Sequence, residues 1–154
     1  MKNILLIVVV LLSTATLAQR NPFKNLTEKN GNIGIGTETP DELLTVKGKI
    51  HTQEVLVDLD GAVAPDYVFE TYFNGVSLLH PGYTFPSLSE VAQYIEMHHH
   101  LPGVPSAEVM EREGMSLKEM NLLLLQKLEE LTLYTLEQQK EIDALKEKLS
   151  SSSN

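Results

Sequence analysis

From Leu117 to Leu149 apolar positions recur in alternating steps of four and three, which constrains the fold more than any other feature of the chain. Asn121, Leu128, Thr135, Ile142 and Leu149 occupy position a of a heptad; Leu117, Leu124, Leu131, Gln138 and Leu145 occupy position d. Seven of these ten residues are Leu or Ile. A 3.5-residue apolar period predicts helices wound around one another in a left-handed supercoil, not one helix resting on a globular core. The ten seam residues are therefore the candidate oligomerisation site. Asn121, Thr135 and Gln138 cost stability in a seam but can specify register and strand number, although Thr135 reads as simply tolerated. Ser116 and Glu119 have the spacing of a capping box at the start of this helix. The coiled coil is expected over 115–149, and the serine-rich 150–154 as a disordered tail. Leu122, Leu123 and Leu125 lie off the seam and require cover, which the upstream short helices and an aromatic segment are expected to supply.

The upstream chain does not read as one globule. Lys2 precedes an apolar run from Ile4 to Leu12, with Thr16 and Ala18 placed as small residues before a cleavage point, so 1–18 is expected to be a secretory signal peptide. Nine apolar residues fall short of the roughly 20 needed to span a bilayer. Removal is expected rather than anchoring, with no membrane span left after cleavage. Residues 19–30 are a polar lead-in. Residues 31–63 form a β segment with strands expected at Leu43–Ile50 and Gln53–Leu59. Such narrow strands bury too little to be stable alone. Residues 64–114 combine loops and short helices into a small head. There "PDYVFETYF" carries four aromatics, Ser87 and Glu90 form a capping box, and Ser106 opens a short helix stopped by Gly114.

Composition narrows the function classes. With no cysteine the chain has neither disulfides nor thiolate metal sites, so an exported protein of this size must find stability elsewhere, and association is the available route. A net charge of -9 opposes binding to nucleic acid or an anionic membrane.

No residue set reads as catalytic, cofactor-binding or metal-binding. His98, His99 and His100 are consecutive, and neighbours on a helix point about 100° apart, so they do not converge on one ion. Ser106 stands where a helix cap belongs rather than on a nucleophile turn. Asp58 with Asp60, and Glu129 with Glu130, read as solvating charges. Gly31, Gly34 and Gly36 lack the strand-then-helix context of a phosphate loop and suit tight turns instead.

Three stretches together resemble a known group. "GNIGIGTETPDELLTVKGKI" is similar to the repeat unit in the stalks of bacterial and phage tail-fibre-like proteins. "SLSEVAQYIEMHHHLPGVPSAEVMEREG" and "LKEMNLLLLQKLEELTLYTLEQQKEI" resemble the C-terminal region of the same exported proteins, which is related to the self-cleaving intramolecular chaperones of phage fibres. The resemblance spans about Gly31 to Ile142. It implies an elongated α+β homotrimer with a short intertwined β stalk, a small helical head and a C-terminal parallel coiled coil. The implied protein is a non-enzymatic, secreted or cell-surface structural protein, its partners being its own copies and an unidentified surface or carbohydrate ligand; the alternatives are a self-processing peptidase of the S74 type and a carbohydrate-binding adhesin. The phage relatives cleave at a Ser-Asp step, and no Ser-Asp dipeptide occurs here. His100, followed by Leu101 and Pro102, falls in the group's histidine-leucine-proline motif.

Overall fold

The computed structural model describes residues 23–152. The expected signal peptide, 1–18, lies outside the described residues, as do Ser153 and Asn154. The described chain is α+β: a three-stranded sheet precedes four helices, the last much the longest. It divides into two units, one ending at Val55 and the other beginning at Leu56.

The first unit is the sheet. Strand β1 (Leu26–Lys29) pairs antiparallel with β2 (Asn32–Ile35), and β2 pairs in parallel with β3 (Leu44–Val46). The β1–β2 turn is Asn30-Gly31, with φ of 55° and 85°. Two positive φ values match the turn that best follows the right-handed twist of a hairpin, and Asn-Gly is the pair that tolerates it. The polar lead-in expected over 19–30 thus contributes a strand. The chain returns to β3 through a loop closed by the Thr45 hydroxyl, which donates to Asp41 Oδ1 at 2.8 Å and accepts the amides of Asp41 and Glu42 at 3.1 Å. That hydrogen bond, with help from its own amide, holds the Asp41 carboxyl below the usual carboxylate range.

Both strands expected from the sequence are corrected. The first shrinks from Leu43–Ile50 to β3, and Gln53–Leu59 forms no strand. A strand needs a ladder partner, and none of the described strands pairs with this run, so Val55, Leu56, Val57 and Leu59 remain exposed. Leu43, Leu44 and Ile50 are exposed as well. Within the strands Leu26, Ile33 and Val46 are only half-buried and Ile35 is exposed.

The second unit is helical. Helix α1 (Tyr67–Asn74) ends at Gly75, whose φ of 81° supplies the left-handed stop. Helix α2 (Leu88–His98) begins with the predicted capping box, since the Ser87 side chain accepts from the Glu90 amide and the Glu90 side chain accepts from the Ser87 amide. Helix α3 (Ala107–Glu113) is capped by Ser106 and stopped at Gly114. Helix α4 runs from Leu117 to Ser152, with Ser116 Oγ accepting the Glu119 amide at its start. The disordered tail expected at 150–154 is corrected over its first three residues. Ser150, Ser151 and Ser152 turn their hydroxyls back onto the carbonyls of Glu147, Lys148 and Leu149, letting serine continue the helix. The core of this unit is Tyr67 and Val68 of α1 against Leu133 of α4, ringed by Phe69, Tyr72, Tyr83 and Phe85. Among the described residues no helix is long and apolar enough to cross a membrane.

Candidate functional site

Helix α4 has two faces, and the head occupies one of them. The head packs on the face carrying Gln126, Glu130, Leu133 and Glu137, which are heptad positions f and c, and reaches Tyr134 at g. Tyr67 donates its hydroxyl to Gln126 Oε1 at 2.8 Å, Tyr83 to Glu130 Oε1 at 3.0 Å, and Tyr72 to Glu137 Oε1 at 2.9 Å. In return Tyr134 donates to the Pro86 carbonyl at 2.6 Å, and its ring lies 4.9 Å from that of Phe85. Each tyrosine brings an apolar ring into the contact and satisfies its hydroxyl at the rim.

Glu129 and Glu130 correct the sequence reading, because both are buried rather than solvating. Glu130, 3% exposed, accepts from Tyr83, from Gln126 Nε2 at 2.7 Å and from Lys127 Nζ at 2.9 Å. The Tyr83 bond ties the head to the helix, and Gln126 and Lys127 of the same helix satisfy the rest of the buried carboxylate. Glu129 is poorer in partners: its Oε2 is buried without a hydrogen bond. Burial, reinforced by the negative charge of Asp66, raises its pKa above the ordinary glutamate value. Burial and then the Glu130 charge raise the Tyr134 hydroxyl to about 12. Tyr83 is raised for the same two reasons.

The opposite face is the seam, and nothing in the described chain covers it fully. Leu124, Leu128 and Leu131 are 52%, 58% and 58% exposed, and Leu117, Ile142, Leu145 and Leu149 are exposed too. Large apolar side chains left open along one helix face mark an interaction surface. The ten candidate residues thus lie along one stripe, which the head borders only beside Leu124, Leu128 and Leu131. Of the polar seam residues, Asn121 donates its side-chain amide to the Leu117 carbonyl at 2.7 Å and Thr135 its hydroxyl to the Leu131 carbonyl at 2.8 Å. Both satisfy a donor within their own helix, which lowers the cost of covering them. Gln138 stays exposed on the same stripe.

The off-seam leucines are covered in part. Leu122 and Leu123 are half-buried, and the loop after α2 comes close enough that a Cβ at Gly103 would meet Leu123 Cδ1 at 3.6 Å; Leu125 remains exposed. Between that loop, the start of α2 and the seam lies an apolar groove of about 350 Å³.

The histidines form an aromatic end to α2. His99 takes the left-handed cap at φ 59°, and the rings of His98 and His100 lie 4.3 Å and 5.6 Å from that of Tyr94. Ser106 is spent on the amide of Val109. Asp58 and Asp60 are exposed.

The carboxylate-tyrosine contacts escaped sequence reading because the partners are 47 to 65 residues apart. The signal that could have found them is the crowding of tyrosines in the head opposite a helix that carries glutamates at two successive c positions, Glu130 and Glu137. No family model, curated protein or solved structure matches the chain.

Proposed function

We propose that the chain is an exported, non-enzymatic structural protein that assembles as a parallel homotrimer through the seam of α4. The observation that carries this reading is the division of labour on α4. Its c and f face is already filled by the head, while an apolar a and d stripe over more than four heptads stands open. A stripe of that period is self-complementary to another copy of itself. Parallel orientation has independent support: Glu141 at g would face Lys146 at e of the neighbouring helix, an attractive pairing only when copies run in register. Three strands are favoured over two by the resemblance of the β segment to fibre stalks. The exposed apolar residues of the sheet and of Gln53–Leu59 give that segment reason to pair with other copies. Export rests on the Lys2 and Ile4–Leu12 pattern.

The test uses Leu128→Lys with Leu131→Lys. Both side chains are more than half exposed in the single chain, so the substitutions leave its own core untouched. Each buried seam leucine is worth about 1.5 to 3 kcal/mol, and two charges in the seam carry a further burial cost. Expected is loss of association and of protease resistance in Leu43–Leu59, with the near-ultraviolet signal of the head tyrosines retained. Unchanged association would refute the assignment of the seam.

A further inference from the structure

The groove beside the seam is built from two kinds of surface. Glu130 and Tyr134 of α4 line it toward the head, and its floor is Leu124, Lys127, Leu128 and Leu131. These residues stand at i, i+3, i+4 and i+7, so on a helix they form the four corners of one diamond. Its wall is Leu88 and Val91 of α2 with Leu101 and Pro102 of the following loop. We propose that this groove is the hole that receives Leu128 of a second copy, and that the head is thereby part of the oligomer interface rather than an appendage on its outside. The proposal rests on the self-association argued above and adds where the head stands in it.

Three observations support a second copy as the occupant. In a supercoil each seam side chain enters a hole of four residues on the facing helix. For parallel chains in register, the side chain level with the 124, 127, 128 and 131 diamond is the neighbour's own a residue, Leu128. Second, Lys127 is a poor corner for an apolar hole unless its charge is turned away, and here its Nζ is held by Glu130 Oε2 at 2.9 Å. Only the aliphatic stem is left to line the hole. Third, the wall rises beside Lys127 and Tyr134, both g positions, and the g flank of one helix faces the e flank of its neighbour. The neighbour's e residues at this level are Leu125 and Thr132. Leu125 is the off-seam leucine that its own head leaves 42% exposed. The wall of the adjacent copy supplies its cover.

The levels can be matched along the helix. The wall meets α4 at two levels, with Gly103 close to Leu123 and Pro86 accepting from Tyr134, and Leu125 and Thr132 lie between those levels.

A chain without cysteine makes the test clean. Single-cysteine variants of the full chain, one affinity-tagged and one not, are refolded together and treated with a short bismaleimide. The pairs are Leu101→Cys with Leu125→Cys, and Leu88→Cys with Thr132→Cys; every mixed product is by construction between copies. Lys140→Cys at the outward f position gives the background, and Ile142→Cys paired with itself reports the seam alone. Expected is a mixed product at least about tenfold above background for both wall pairs, reflecting the high effective concentration inside an assembly. Crosslinking through Ile142→Cys with the wall pairs at background would overturn the head's place in the interface and leave the seam standing. Background at every pair would overturn both.

Discussion

At the scale of single residues, the chain places a poorly satisfied buried carboxylate, Glu129, beside a well-satisfied one, Glu130. Glu130 has tyrosine, glutamine and lysine partners, whereas a buried oxygen of Glu129 has none. Because burial and Asp66 raise the folded-state pKa of Glu129, the folded chain holds that proton more tightly than the unfolded chain does. The stability this contributes is present below the ordinary value of 4.5 and is lost as pH rises through the raised folded value. Glu129→Gln removes the buried charge while keeping the shape. The variant is expected to be more stable at neutral pH by up to about 1 kcal/mol, with a flatter stability profile just above pH 4.5, read from thermal melts at a series of pH values. Equal melting temperatures across the series would show that the carboxylate is better solvated than its burial indicates.

At the scale of elements, local signals were legible where they act within a few residues. The capping box at Ser87, the cap at Ser106 and the stop at Gly114 were readable because both partners of each contact are neighbours in sequence. The long helix opening after Ser116 was readable for the same reason. The hairpin at Asn30-Gly31 had the strongest short-range turn signal available, but the polar residues around it masked the flanking strand. The strand expected at Gln53–Leu59 failed for a nonlocal reason: alternation describes a side-chain pattern, while a strand exists only with a partner, and no described strand pairs with it. The burial of Glu129 and Glu130 was illegible because it depends on a head arriving from far along the chain. Within the sheet, Gly34 is the position least open to change, since a Cβ there would lie 2.5 Å from the Thr37 carbonyl oxygen. Backbone cannot yield as a flexible side chain does. Gly34→Ala is expected to destabilise the sheet by about 1 to 3 kcal/mol, and Gly48→Ala, which meets nothing within 4 Å, to be neutral. Limited proteolysis of residues 26–46 checks this, and equal resistance in the two variants would contradict the close approach.

At the scale of the whole molecule, the two units share one property: each leaves large apolar side chains exposed. The sheet leaves Leu43, Leu44 and Ile50 exposed, and α4 leaves its seam exposed. A single chain in water would carry both as open apolar surface, an arrangement that favours association over solubility. In the proposed trimer, association through the seam of α4 raises the local concentration of sheet segments that are too small to be stable alone. Neither enzymatic chemistry nor a cofactor enters this account. Its central claim is therefore a stoichiometry, and sedimentation equilibrium of residues 19–154 over a wide range of loading concentrations measures it directly. The account predicts one species with three times the chain mass that gives way to monomer in the Leu128→Lys, Leu131→Lys variant. A wild-type chain that sediments as a monomer at every concentration would contradict it.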